Sequence, residues 1–254
     1  FLGPFKPINK LPNYCRYIKT FVKPPQCLEI GYKQSNGNLI MQFADDCKFS
    51  VEDPLCKIFD LWKKTGSNLN RLISCKYRTE NWEPAEADYR FMPWDKISPL
   101  IPMTPLIPKI LFKKFKSYDR RFTAVLADVD LYMRLIRAGV KFDFSEIYYV
   151  ENKKINVGNL LLNDYWMKDK IFLDKLWIDN SNKPLEERKF APQRNLEVEE
   201  FESWRTGENV WNVWNWGNLG ISAYVSYIVV LLTFPEQFSK KKDHEGKIPG
   251  KNCG

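Results

Sequence analysis

The sequence predicts an α/β fold, an open mixed sheet with flanking helices, and two stretches of the chain carry most of that prediction. In the first, residues 37–54, a short apolar run is followed by two aspartates and then by a helix start. In the second, residues 118–144, a helical pattern ends at a glycine and alternating strand residues follow. Strand and helix patterns that alternate along one chain are typical of α/β domains.

The first stretch, GNLIMQFADDCKFSVEDP, predicts a buried strand, an acidic turn and a helix. The apolar run at 39–43 is of the kind found in strands that are covered on both faces. Ser50 is placed to cap the helix, and Glu52 and Asp53 then fall in its first turn, where carboxylates suit the helix dipole. Gly66 is placed to end it.

Asp45 and Asp46 end the predicted strand, at the edge where open α/β sheets bind their ligands. Adjacent carboxylates at that edge suit a divalent cation that bridges to a diphosphate. A solvated acidic turn is the simpler explanation of the same pair, and this stretch taken alone favours the turn.

The second stretch, YDRRFTAVLADVDLYMRLIRAGVKFDF, predicts a helix that ends at Gly139 and a strand over residues 140–144. Asp128 lies near the helix start, where a carboxylate complements the helix dipole. Asp130 stands four residues before Arg134, the spacing of an ordinary ion pair on a helix surface. Taken alone, these three charged residues need no function to explain them.

Composition separates residues 1–180 from a C-terminal extension, residues 181–254. Within the extension, an apolar segment at about 219–234 predicts a helix, and a polar tail follows it. This segment is shorter than the roughly 20 residues that span a membrane. Because tryptophans precede it, the stretch 211–234 suits contact with a membrane surface, and a core helix or a protein-partner surface are the alternatives.

Charge and cysteine usage set broader limits. Lys and Arg outnumber Asp and Glu by 39 to 31, which suits phosphate-bearing ligands, nucleic acid or an anionic surface without selecting one. The run KILFKKFKSYDRR, residues 109–121, favours a solvated helix face over a nucleic-acid patch. The six cysteines show neither a CxxC pair nor zinc-like spacing, so we expect free thiols in a reducing intracellular compartment, with membrane association left open.

Taken together, the two stretches resemble the GT-A glycosyltransferases of the large inverting group. Members share a strand G-x-Y-I-x-F-L-D-x-D and a later segment F-D-E-x-F…E-D-x-D-L-x-x-R-x-x-x-x-G. Gly37 and Asp46 match the first and last residues of the strand motif, and SYDRRF matches the start of the later segment. The end of that segment is matched by Asp128, Asp130, Leu131, Arg134 and Gly139. EIGYKQSNG resembles the helix that leads into the strand, KDKIFLDKLW (168–177) resembles a stretch that often follows, and the resemblance covers about residues 17–180.

The resemblance implies a GT-A-like domain over residues 1–180 that lacks its N-terminal nucleotide-binding strands. It implies a nucleotide-diphosphate sugar as donor and a hydroxyl group as acceptor. Mn²⁺ or Mg²⁺, held by Asp46 with help from Asp45, would neutralise the leaving diphosphate. Asp128 would be the catalytic base, and Asp130 and Arg134 would shape the acceptor side.

Several departures from the family pattern keep a second function open. Ala44 stands where the first carboxylate of D-x-D belongs, and Ala127 replaces the acid that usually precedes Asp128. Family members carry two further strands and helices before residues 17–22, which resemble their third strand. A sheet without those strands would expose an edge for a protein partner to cover. The alternative is therefore a catalytically degenerate transferase fold that serves as a structural or interaction subunit of a larger assembly.

Overall fold

The structure is a computed structural model, and it describes twelve parts of the chain: residues 2–3, 11, 15–20, 24–43, 47–49, 51–79, 90–92, 95–119, 121–152, 159–179, 182–192 and 232–234. For some of these residues, including 47–48, 146–152, 159–164 and 232–234, the backbone alone is described. In chain order the elements are β1 (Leu2–Gly3), β2 (Ile18–Lys19), α1 (Pro24–Gln34), β3 (Leu39–Met41), β4 (Cys47–Phe49), α2 (Pro54–Lys64), β5 (Arg71–Thr79), β6 (Met103–Pro108), α3 (Lys109–Lys114), α4 (Ala127–Arg137), β7 (Lys141–Asn152), α5 (Asn159–Trp177), β8 (Ile178–Asp179), a 3₁₀ turn (Leu185–Glu187), β9 (Lys189–Phe190) and β10 (Leu232–Phe234).

The main sheet has six strands in the order β10-β3-β6-β5-β7-β4. The β5–β7 pair is parallel and the other pairs are antiparallel, so the predicted α/β class with a mixed sheet is confirmed. Two short ladders stand apart from this sheet, β1 with β2 and β8 with β9. Within residues 17–22, which resemble the third strand of the family, Ile18–Lys19 pair with β1 and not with the main sheet.

Both faces of β3 are covered, as the apolar run predicts. Ile40 packs into the larger core, which is built with residues of α3, α4 and α5. Leu39 and Met41 point to the other face and pack with Ile58 and Trp62 of α2. Because successive side chains of a strand point to opposite faces, these three residues contribute to both hydrophobic cores.

Strand β6, which contains Pro105 and Pro108, is an interior strand between β3 and β5. Proline has no N–H for a ladder hydrogen bond, so prolines are rare in such strands. Here the β5–β6 register shifts between Ile73 and Cys75, and Thr104, just before Pro105, has a left-handed backbone with φ 46°. The irregular ladder accommodates Pro105, and Pro108 closes the strand immediately before α3.

The start of α2 lies later than the sequence predicts. Pro54 is the first helical residue, and Asp53 is the N-cap with a left-handed backbone, φ 48° and ψ 48°. Glu52 and Asp53 therefore precede the helix, and the predicted cap Ser50 lies outside the described residues. Proline is well suited to the first helical position because its missing N–H would have no partner there. The predicted end is confirmed, since Gly66 follows the C-cap with φ 76°.

The predicted helix over 219–234 is wrong at its end. Leu232–Phe234 form β10, which pairs antiparallel with Leu39–Met41, and residues 219–231 lie outside the described part of the chain. A β-branched and an aromatic residue suit a strand, and the open edge of β3 supplies backbone partners for it. The outer edge of β3 is therefore paired, along these three residues, with the chain itself.

In the parts of the chain that the structure describes, no helix has the length and apolar character needed to cross a membrane. The tryptophans at 211, 214 and 216, which suggested contact with a membrane surface, lie outside the described residues.

In the basic run, Phe112 is buried and stacks on Tyr32 with ring centroids 4.8 Å apart, so it is closed to a nucleic-acid base. Lys113 and Lys114 beside it are exposed, as on a solvated helix face.

The expectation of free thiols is wrong at one cysteine. Cys56 is disulfide-bonded, whereas Cys15, Cys27 and Cys75 are free thiols as expected. Tertiary contacts decide disulfide pairing, and sequence spacing does not reveal them.

Helix α4 ends as predicted, and substitutions at Gly139 test whether its left-handed backbone requires a glycine. Its φ is +79°, and a Cβ atom placed there would meet no other atom within 4 Å. Gly139→Ala is therefore expected to cost about 1–2 kcal/mol of unfolding free energy through backbone strain alone. Gly139→Asn should cost less, because asparagine tolerates the left-handed region. Urea denaturation of both variants checks the order, and an equal loss would point to another cause.

Candidate functional site

The two stretches singled out in the sequence meet at Gln42. This residue follows β3 directly, and its Nε2 atom donates a hydrogen bond to Oδ2 of Asp128 over 3.1 Å. The hydroxyl of Tyr118 donates to Oε1 of the same amide over 2.7 Å. One chain of hydrogen bonds therefore links the end of β3, the segment before α4, and the first turn of α4. We refer to Tyr118, Gln42 and Asp128 as the relay.

The surroundings of Asp128 make its carboxyl group a weaker acid. It is half-buried, and its Oδ1 accepts a hydrogen bond from the Val129 backbone N–H over 2.8 Å. Burial raises the pKa of the Asp128 carboxyl above its ordinary value, and the hydrogen bonds from Val129 and Gln42 oppose that rise. A carboxylate with a raised pKa holds a proton more firmly, which is the property that a general base requires.

Asp130 and Arg134 are not the surface ion pair that their spacing predicts. Their side chains are 0% and 2% exposed, and Arg134 Nε lies 2.9 Å from Asp130 Oδ2. The indole N–H of Trp177 on α5 donates to the other oxygen of Asp130 over 3.0 Å. Arg134 also donates to the carbonyl oxygens of Phe115 and Ser117. The pair therefore links α4 to α5 and to the segment before Tyr118. Through that segment it helps to fix the position of Tyr118 in the relay.

Asp169 of α5, a second buried carboxylate, fixes the chain just before α4. Its two oxygens accept hydrogen bonds from the backbone N–H groups of Thr123, Ala124 and Val125, over 2.7 to 2.8 Å. The next residue, Leu126, is the N-cap of α4 and has a left-handed backbone with φ 65°. Asp169 thus sets where α4 begins and, through that start, where Asp128 lies.

Glu29 of α1 is buried beside the same segment. It accepts a hydrogen bond from the Ser117 hydroxyl and pairs with Lys33, whose Nζ lies 3.0 Å from its Oε1. Burial raises the pKa of Glu29, and the contacts with Ser117 and Lys33 oppose that rise. The carboxylate is therefore engaged within the protein and does not face the relay as a free charge.

The predicted metal ligands Asp45 and Asp46 lie outside the described residues, as does Ala44. In the parts of the chain that the structure describes, no three His, Cys, Asp or Glu side chains are grouped as metal ligands. The described chain stops at Phe43, one residue after Gln42, and resumes at β4. In the sequence, Gln42 of the relay therefore precedes Asp45 by three residues and Asp46 by four.

Sequence reasoning finds Asp128 but misses the two side chains that hold it. Gln42 interrupts an apolar run and, in the family motif, falls where a phenylalanine stands, so its polarity is the one available signal. Tyr118 lies 76 residues from Gln42, and nothing in the local pattern joins them. Tyr132, which also lies near Asp128, follows it by one helical turn and has the pattern of a core residue.

Comparisons with known proteins leave the site to be judged on its geometry. No protein-family model matches the chain, and no curated protein is significantly similar to it.

Proposed function

We propose that the chain is an inverting, metal-assisted glycosyltransferase that moves a sugar from a nucleotide-diphosphate donor to an acceptor hydroxyl. One observation carries this proposal: Gln42, at the end of β3, is hydrogen-bonded to Asp128 at the start of α4. That contact brings the predicted base to the strand end from which the predicted metal ligands follow. The mixed sheet with helices on both faces supports a GT-A-like arrangement of residues 1–180.

In this proposal Asp128 takes the proton of the acceptor hydroxyl. The acceptor oxygen then forms a bond to the anomeric carbon on the face opposite the diphosphate, and the bond to the diphosphate oxygen breaks. The raised pKa and partial exposure of Asp128 both suit that role. Asp130 and Arg134 shape the acceptor side indirectly, because they hold the backbone that presents Tyr118.

Asp46, assisted by Asp45, would hold Mn²⁺ or Mg²⁺, because paired carboxylates are ligands that hard cations prefer. When bound, the cation would offset the negative charge of the leaving diphosphate. The basic excess of the chain, 39 to 31, suits a ligand that carries phosphate groups.

Calorimetric titration of the chain with UDP and with GDP, with and without Mn²⁺, tests the donor side. We expect binding that requires Mn²⁺ and that weakens at least about tenfold, or ~1.4 kcal/mol, in Asp46→Ala. Asp60→Ala is the matched control, because Asp60 is an exposed aspartate on α2. It should bind as the parent does.

The absence of binding at millimolar nucleotide would instead favour the degenerate transferase fold as a subunit of a larger assembly. In that case native mass spectrometry should find the chain in complexes well above 30.1 kDa, and Asp46→Ala should leave them intact. A protein partner would meet the sheet at β10 or β4, its outer strands, since β3 is already paired on both sides.

A further inference from the structure

The orientation of the Gln42 amide is decided by Tyr118. A primary amide has an acceptor end and a donor end, and the two ends face opposite partners here. Because the Tyr118 hydroxyl donates to Oε1, the Nε2 end is turned toward Asp128. If the amide were reversed, its oxygen would face the carboxylate oxygen of Asp128. That arrangement repels an ionised carboxylate and suits a protonated one.

Tyr118 is itself held tightly. Its side chain is 1% exposed, and its ring packs against Phe112 with centroids 5.7 Å apart. The two residues before it, Lys116 and Ser117, both have left-handed backbones, with φ 62° and 54°. Consecutive non-glycine residues in that region are strained and persist only when their surroundings enforce them.

The surroundings of this strained segment are the buried charges already described. Arg134 donates to the carbonyl oxygens of Phe115 and Ser117, and Glu29 accepts from the Ser117 hydroxyl. Strain that is held in place beside a candidate catalytic group is a recognised feature of functional sites. Here the strained segment places the Tyr118 hydroxyl group within hydrogen-bonding distance of Oε1 of Gln42.

We propose that Tyr118 is a positioning residue that, through Gln42, keeps a hydrogen-bond donor on Asp128 and so keeps that carboxylate ionised and correctly turned. Its importance for catalysis depends on the proposed function, whereas its effect on Asp128 does not. Tyr118 and Tyr132 both interact electrostatically with Asp128, and Tyr118 also interacts with Glu29 and Arg134. Burial raises the pKa of both tyrosines well above the ordinary value, so neither titrates alongside an aspartate.

The test follows the titration of Asp128 in the full chain by carboxyl ¹³C NMR, with Asp128→Asn to identify its signal. Tyr118→Phe removes only the hydroxyl that orients Gln42, and Gln42→Leu removes the amide. Tyr132→Phe is the matched control, because the Tyr132 hydroxyl is buried near Asp128 and has no hydrogen-bond partner among the described residues. We expect the titration midpoint of Asp128 to rise in the first two variants and to stay close to that of the parent in the control.

The double variant should shift the midpoint no further than Gln42→Leu alone, since both changes break the same relay. Where transfer is measurable, Tyr118→Phe should lose about tenfold on the acidic side of the pH–rate profile and recover at higher pH. If Tyr118→Phe and Gln42→Leu both fold and the titration midpoint of Asp128 is unchanged in both, the proposed role of Tyr118 is wrong. A shifted midpoint in a chain with no transfer at any pH supports the relay and rejects the glycosyltransferase.

Discussion

Replacing Asp128 by asparagine is expected to abolish sugar transfer and to leave binding of the nucleotide donor within a few-fold of the parent. Asparagine has nearly the size of aspartate, but its single oxygen can accept from only one of the two donors, Gln42 Nε2 and the Val129 N–H, that the two carboxylate oxygens serve. It cannot take a proton from the acceptor, and loss of a general base typically costs 10²- to 10⁴-fold in rate. Single-turnover transfer assays beside calorimetric donor binding separate the two effects.

Asp60→Asn, the same chemical change at an exposed position on α2, should leave both transfer and binding unchanged. Equal losses of transfer and of donor binding in Asp128→Asn would argue against Asp128 as the base. They would place it among the residues that hold the donor.

The same variant is expected to remove the pH dependence that Asp128 gives to the stability of the protein. Burial raises the pKa of Asp128 in the folded protein, so between its unfolded and folded pKa values the folded state binds more protons. The free energy of unfolding therefore falls as pH rises through that window, by at most about 1.4 kcal/mol for each pH unit. Asparagine does not ionise, so in urea denaturation the stability of Asp128→Asn relative to the parent should increase between pH 4 and pH 7. A relative stability that stays constant or decreases over that range would contradict the raised pKa.

Asp130→Ala is expected to cost about 3–5 kcal/mol of unfolding free energy, the largest stability effect that we predict. Removing one member of a buried ion pair leaves the other charge without compensation, and Arg134 is 2% exposed. The change also leaves the indole N–H of Trp177 without its acceptor. Guanidinium denaturation measures the loss, provided that the variant still folds. A chain that fails to fold at 25 °C would agree with the upper end of this range.

The matched control is Asp60→Ala. Asp60 forms an ion pair with Lys63 on α2, but the two side chains are 58% and 51% exposed. Exposed pairs contribute little, so we expect a loss of about 0.5 kcal/mol or less. Similar losses in the two variants would show that water reaches Arg134 once Asp130 is gone.

Much of the fold could be predicted because its signals are local. The strand at β3, the helices α2 and α4, the glycines that end them and the strand β7 all follow from periodicity and end signals within a few residues. One error arises where contacts between distant residues override those signals. Leu232–Phe234 form a strand because they pair with Leu39–Met41, far earlier in the chain. The late start of α2 is a local error, since the helix-start signals do not indicate the left-handed backbone of Asp53.

The candidate site divides in the same way. Asp128, Asp130 and Arg134 are recognisable from their positions in one helix, yet their spacing suggests a surface pair where the structure has a buried one. The difference lies in Trp177 and in the carbonyl groups of Phe115 and Ser117, which local sequence does not bring to Arg134. The partners that set the ionisation of Asp128 are likewise remote in sequence, so the chemistry at that carboxylate emerges only from the assembled fold.

The pairing of β10 with β3 also has a consequence for how the chain is made. Leu39–Met41 emerge from the ribosome long before Leu232–Phe234, so the sheet has one unpaired apolar edge throughout most of synthesis. Long-range strand pairing of this kind forms slowly, and an unpaired apolar edge invites pairing between nascent chains. Association of nascent chains along Leu39–Met41 is therefore expected until Leu232–Phe234 are available to pair with this edge.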